Sequence, residues 1–183
     1  MRVYQYSFDF DEWKQIGYDI DGENPGDRFG SSVSMSSDGK MVAVGAPDND
    51  SNGLDSGKVK VYRLNDGESW LQIGQDLVGT SAGDKAGWSV SLSSDGKTLA
   101  FGANGYSYDG KDYSGRVEVY HLENTLDSSV SWMQVGGING AKAGDSAGVS
   151  VSLSSDGKTI AVGSLWNNDN GDKSGHVRVF SVD

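Results

Sequence analysis

Cysteine is absent from the 183 residues, so neither a disulfide framework nor thiolate chemistry is open to this chain. Proline is nearly absent, with two residues, while glycine is abundant at 27. Turns therefore rest on glycine, which suits many short strands better than helices. No apolar run reaches the roughly 18 residues of a membrane-spanning helix, and no stretch carries a helical amphipathic period. The opening MRVYQYSFDF alternates and lacks the apolar core of a secretory signal. Positive charge is scarce too. Fifteen Lys and Arg against 26 Asp and Glu leave a net charge of −11, which repels nucleic acid and argues against membrane insertion at anionic surfaces. The same balance suits a basic partner or a divalent cation, and it also serves plain solubility.

What is present is repetition. Ser31–Leu64 returns as Trp88–Leu122 and again as Val149–Val182. Self-similarity at this period marks one supersecondary unit repeated, each needing neighbours to bury its faces. Strand A alternates serine with apolar residues at Ser32–Ser36, Ser89–Ser93 and Ser150–Ser154. Its small side chains suit a crowded inner position. The Ser-Asp-Gly-Lys turns at 37–40, 94–97 and 155–158 lead into strand B, and Asp-Gly predicts a type I′ hairpin with positive φ at both central residues. Strand C follows Gly57, Gly115 and Gly175, and strand D is a W-x-Q-[IV]-G segment at Trp13, Trp70 and Trp132. Packing is the expected role of these tryptophans. Between D and A stands [IL]-x-G-x3-G-D, ending at Asp27, Asp84 and Asp145, whose carboxylates are expected to accept backbone N–H groups. Arg2–Ser7 aligns with Arg116–His121, Val3 on Val117 and Tyr6 on Tyr120, so the chain opens on a C strand. Glu123–Val130 is the longest C–D connection, an expected exposed excursion.

Four short antiparallel strands per repeat predict an all-β fold of β-propeller blades, three per chain. The division is 1–27 for the C and D strands of an incomplete blade, 28–84 and 85–145 for the first two repeats, and 146–183 for a third lacking its D strand. Propellers close with about 4 to 8 blades, and open sheet edges invite pairing. The expected assembly is a homodimer in which two chains form one six-bladed ring, with a fragment of a longer propeller as the rival. The spare first C strand has no place in the simple form of that ring.

Phe29-Gly30 before strand A and Gly45-Ala46-Pro47 after strand B resemble the FG-GAP repeat of integrin α-type propellers. The second repeat has Ala86-Gly87 and Gly102-Ala103-Asn104, the third Ala147-Gly148 and Gly163-Ser164-Leu165. The resemblance implies an adhesion or binding module, extracellular or at a cell surface. It also implies calcium loops between strands A and B, where this chain has only the tight Ser-Asp-Gly-Lys turn. The sequon Asn49-Asp50-Ser51 is compatible with export.

A calcium-like spacing stands elsewhere, in the first B–C loop. Asp48, Asp50 and Asn52 alternate before Gly53, with Asp55 beyond, which makes these four the candidate cation ligands and calcium the candidate ion. A polar turn closed by Asx hydrogen bonds is the alternative use of the same residues. The B–C loops also carry Tyr106, Tyr108, Tyr113 and Trp166, the candidate ligand-binding aromatics. Up-down blades place the D–A and B–C loops at one end, and variable loops are where repeat proteins bind. Two non-equivalent histidines, His121 and His176, and the absence of nucleophile or phosphate-loop motifs argue against an enzyme. His176 reads as an exposed strand residue. The leading expectation is a non-enzymatic module that binds a protein, glycan or cation. A self-assembling structural unit and a carbohydrate-active enzyme with paired carboxylates are the alternatives.

Overall fold

The structure, a computed structural model, describes residues 1–124 and 129–182. Residues 125–128 of the expected C–D excursion lie outside the described residues. Fourteen strands and no helix are found among the described residues. A hairpin of β1 (Tyr4–Ser7) and β2 (Glu12–Gln15) comes first. The first full sheet runs in order β3 (Ser32–Met35), β4 (Met41–Ala46), β5 (Lys58–Asn65) and β6 (Ser69–Gln72). A short β7 (Leu77–Val78) pairs with the start of β5. The second sheet runs β8 (Ala86–Leu92), β9 (Thr98–Ala103), β10 (Arg116–Asn124) and β11 (Val130–Asn139). The third holds β12 (Ala147–Leu153), β13 (Thr159–Ser164) and β14 (His176–Ser181). Named strands pair antiparallel throughout.

The sheets stack face to face in a propeller-like row that does not close on itself. Met41, Ala43, Val59 and Val61 of the first sheet pack against Val90, Leu92, Leu99 and Phe101 of the second. Ala100, Val117 and Val119 meet Ile160 and Val162 of the third. Ile20, Met1 and Phe29 cover Val42 and Val44. Strands β4 and β9 are buried at every residue, β9 because a sheet lies on each side and β4 because the second sheet lies on one side and Met1, Ile20 and Phe29 on the other. Strand β13 alternates instead, with one face open.

Strand A is the inner edge of each sheet, and its serines bridge to the next one. Ser32 Oγ donates to the Gly87 carbonyl at 2.7 Å and Ser89 Oγ to the Gly148 carbonyl at 2.8 Å. Ser34 Oγ accepts from Leu92 N–H and Ser91 Oγ from Leu153 N–H, both at 2.9 Å. The period-2 serines thus supply partners that an unpaired strand edge would lack.

Two readings of the sequence are corrected. In the Ser-Asp-Gly-Lys turns only the glycines, Gly39, Gly96 and Gly157, have positive φ. The turn is closed by Gly39 N–H donating to the Ser36 carbonyl, with the left-handed glycine after it rather than within a type I′ pair. Asp38 stays at negative φ because its carboxylate accepts from Ser36 Oγ and Lys40 N–H. The first C strand is also shifted. Tyr4 pairs with Gln15 as Tyr62 pairs with Gln72 and Tyr120 with Gln134. Val3 therefore stands in the place of Val119, and Met1 in that of Val117. A two-residue slip keeps every side chain on its face, so alternation alone could not set the register.

Lys58 and Lys60 are buried on β5 and paired with Glu23 and Asp76. Hydrogen bonds from Lys60 and Lys58 hold the Glu23 carboxyl below its ordinary range. Burial, with Glu23 and Asp76 adding to it, pushes the nearby Tyr62 hydroxyl up to about 12. In the turns, hydroxyl and backbone donors hold Asp38, Asp95 and Asp156 low in the same way.

Two outcomes are expected. Lowered carboxyl values mean that the unfolded chain takes up protons first as pH falls. This stabilisation is complete above the ordinary carboxylate range and is lost as pH drops through the folded values. Urea midpoints should hold steady from about pH 7 to 5 and fall below about pH 4.5. Ser93 is fully buried, donates to Asp95 and accepts from Thr98 N–H. Ser93→Ala should cost about 1–3 kcal/mol in urea unfolding, and the more exposed equivalent Ser154→Ala should cost less.

Candidate functional site

The D–A and B–C loops lie together at one end of the row, joined by backbone hydrogen bonds that run from sheet to sheet. Gly83, Lys85 and Ala86 N–H donate to the carbonyls of Leu54, Asp55 and Ser56. Gly144, Ser146 and Ala147 N–H donate to those of Asp112, Tyr113 and Ser114. The first and second B–C loops are thus each fastened to the next D–A loop, whereas the third is held only within its own repeat. Within a repeat, Asn49 Nδ2 donates to Asp27 at 2.6 Å and Asn167 Nδ2 to Asp145 at 3.1 Å.

Asp27, Asp84 and Asp145 are buried pivots of this lattice. Asp84 accepts from Ser81 N–H and Thr80 Oγ1, and Asp145 from Lys142 N–H. Non-glycine positive φ recurs at Asp55, Tyr113 and Lys173 and at Arg28, Lys85 and Ser146. Strain at equivalent places in all three repeats marks the joint between sheets rather than one reactive centre.

The four candidate cation ligands are engaged with other groups. Lys85 Nζ sits 3.0 Å from Asp48 and 3.2 Å from Asp55, and Arg28 Nε is 2.8 Å from the other oxygen of Asp48. Burial works against the Lys85 charge, but Asp48 and Asp55 outweigh it and raise its pKa. Asp50 accepts from Asp55 N–H, and Asn52 Nδ2 donates to the Gly79 and Thr80 carbonyls. The first B–C loop is therefore closed by Asx bonds and by an ammonium reaching across from the next repeat. Asp48 and Asp55 meet at the Lys85 ammonium, and no cluster of three acidic or histidine ligands is found among the described residues. Arg28 and Lys85 are the residues that spacing could not reveal. Lys85 stands thirty positions beyond Asp55 and meets it only because the sheets stack.

The candidate aromatics fare differently. Tyr108, Tyr113 and Trp166 are exposed. Tyr106 is half-buried against the core, stacks on Tyr108 with ring centres 6.5 Å apart, and carries the Arg116 guanidinium 5.2 Å from its ring. Lys173 Nζ lies 4.9 Å from the Trp166 ring. Tyr113 and Ser146 belong to adjacent repeats and share a hydrogen bond, so the second B–C loop is held against the third repeat. Asn49, the sequon asparagine, is buried on Asp27, which removes it as a glycan acceptor in the folded chain. His176 is half-buried rather than exposed, 3.8 Å from Asp169, because β14 carries it under its own loop.

Residues 20–62 match the FG-GAP repeat. No curated protein matches the chain in sequence. Among solved structures, Pseudomonas aeruginosa periplasmic gluconolactonase is similar at 20% identity and TM-score 0.55, over 98% of this chain and 45% of that one. Kuenenia stuttgartiensis hydrazine synthase is similar at 16% identity and TM-score 0.51, over 99% of this chain and 40% of that one. The chain spans less than half the length of either. At these identities the likeness is one of fold, a propeller-like arrangement of antiparallel sheets.

Millimolar calcium is expected to leave the melting temperature unchanged, because Lys85 already neutralises Asp48 and Asp55. Lys85→Ala should lower the melting temperature by leaving those carboxylates without their cation. Differential scanning fluorimetry with calcium and with chelator checks both.

Proposed function

We propose that this chain is a non-enzymatic binding module that takes a glycan on the loop end of its sheets, at Tyr108, Tyr113 and Trp166, with a protein ligand as the second reading. The observation that supports it is an exposed set of aromatic rings on loops hydrogen-bonded to their neighbours. Rings held in place lose little freedom on binding, so the faces of Tyr108 and Trp166 not taken by Tyr106 and Lys173, and the ring of Tyr113, are available to a sugar ring at low entropic cost. Carboxylates and amides around them, among them Asp109 and Asn168, can orient hydroxyl groups. The buried carboxylates of this end are committed to structural partners, which favours binding over acid–base chemistry. Calcium enters this reading only as a ligand of loops other than the first. The FG-GAP match supports a place outside the cell or on its surface.

The module is carried on a ring of six blades built from two chains, three blades from each. The second functional reading is a self-assembling structural unit. It is favoured by the apolar faces at both ends of the row, where Val33 and Met35, and Val177 and Val179, are exposed.

Glycan-array binding followed by calorimetry tests the proposal. Trp166→Ala and Tyr108→Ala should each weaken a positive glycan about tenfold or more while leaving the melting temperature within the range of surface substitutions. An array with no hit, or a hit indifferent to both changes, sinks it.

A further inference from the structure

The W-x-Q-[IV]-G segment makes one contact twice inside the chain and leaves its third instance unmade. Trp70 Nε1 donates to the Ile16 carbonyl and Trp132 Nε1 to the Ile73 carbonyl, both at 3.1 Å. Each indole lies over the glycine that follows. A Cβ on Gly17 would stand 2.8 Å from Trp70 Cδ1, and one on Gly74 would stand 2.6 Å from Trp132 Cδ1. The third glycine, Gly136, has nothing within 4 Å of the same position. The third tryptophan, Trp13, is 68% exposed, whereas Trp132 is 1% exposed. One half of the contact is thus left over at each end of the row.

The same complementarity runs along the whole junction. A Cβ on Gly45 or Gly102 would run into the carbonyl of Gly87 or Gly148 in the following sheet, but Gly163 meets only its own sheet. Ser32 and Ser89 donate to those two carbonyls, and the equivalent Ser150 is exposed, as is the equivalent acceptor residue Gly30. Val177 and Val179 are 68% and 65% exposed, although their counterparts Val117 and Val119 are 0% and 2% exposed. At the other end Val33 and Met35 stand open where Val90 and Leu92 are buried. Around Trp13, Phe8 and Phe10 are exposed as well, an apolar patch of the kind that marks an interface.

We infer that a second copy of this chain docks head to tail on the third sheet, with its β2 hydrogen-bonded to the free edge of β14 and its Trp13 seated over Gly136, the indole N–H donating to the Val135 carbonyl. This deepens the two-chain ring proposed above and rests on it. The spare C strand then has a role. Strand β1 occupies in the free chain the place that β14 of the partner takes in the pair. Strand β14 is already paired along its length with β13 and needs only an outer neighbour, whereas β1 has β2 alone. Exchange trades one β2 pairing for another and sets Val177 and Val179 where Met1 and Val3 lie in the free chain, and the gain is the cover that the third sheet adds over Val33 and Met35. Gly136 lies in extended strand in the free chain, unlike Gly17 and Gly74 at φ 70° and 73°, so seating the indole also bends β11 there.

Light scattering over a range of concentrations, without ligand, tests the docking. The wild type should weigh twice the chain mass. Trp13→Ala and Gly136→Val should each shift it to the monomer mass. The valine meets open space in the single chain, so Gly136→Val should retain the wild-type circular dichroism. A wild type that is monomeric throughout, or a pair indifferent to both substitutions, overturns the inference. An open polymer blocked by the same substitutions supports the docking and overturns the closed ring. None of these outcomes involves a glycan, so they stand apart from success or failure of the binding test.

Discussion

Everything in this fold depends on how the inner edge of each sheet is satisfied. Strand A pairs with strand B on one side only, and a free backbone edge so close to a neighbouring sheet would be costly to leave unpaired. The chain answers with serine at alternate positions. One hydroxyl donates to the next sheet's glycine carbonyl and another accepts from its N–H. The intervening residues, Val90 and Leu92 in the second sheet, face the previous sheet and fill the core. A larger polar side chain could not fit where Gly45 lies against Gly87, and an apolar one would leave the edge unpaired. Spacing between sheets, crowding at the inner strand and the serine period are thus one constraint seen three ways.

The loop end inherits that geometry. Sheets held at a fixed spacing bring the first and second B–C loops within backbone hydrogen-bonding distance of the next D–A loop. The same three N–H groups then find the same three carbonyls at both internal junctions. On that frame the side chains are free to differ, and they do. The first B–C loop spends its carboxylates on Arg28 and Lys85, the second presents tyrosines, and the third presents Trp166 beside Lys173. Chemistry varies where the backbone does not, which is why the aromatics rather than the acids carry the proposed function.

Most of the strands were legible because each repeat confirms the other two. Serine alternation, the Asp-Gly turn and the paired valines recur at constant offsets, and the backbone N–H groups expected on the Gly-Asp carboxylates are found at Asp84 and Asp145, while Asp27 accepts from the side-chain amides of Asn24 and Asn49. The errors share a physical cause. The register of β1 depends on the length of the turn between Phe8 and Asp11, which alternation does not encode. The handedness at Asp38 is decided by Ser36 and Lys40 donating to its carboxylate, a local bond that outweighs the Asp-Gly statistic. Strand β7 exists because Leu77 returns to pair with Val59 after Gly74 has turned the chain, a contact too short to show as a period. Apart from these errors, the cation beside Asp48 and Asp55 is Lys85 from another sheet, and no local window contains it.

The open ends follow from the same repeat. A unit that must be covered on both faces cannot be stable at the end of a row unless something caps it. The N-terminal hairpin caps the first sheet in part, laying Met1 and Ile20 on Val42 and Val44 while leaving Val33 and Met35 uncovered. Nothing among the described residues covers the face of β14 that carries Val177 and Val179. In the proposed pair, apolar surface at both ends would draw copies together, while a charge of −11 on each would keep them apart. Because the attraction is short-ranged and the repulsion is screened by salt, the balance favours one well-matched seam over loose association. A seam that reproduces the internal junction, indole over glycine and serine to carbonyl, is the arrangement with the most to gain, since every group it would pair already has its counterpart made elsewhere in the chain.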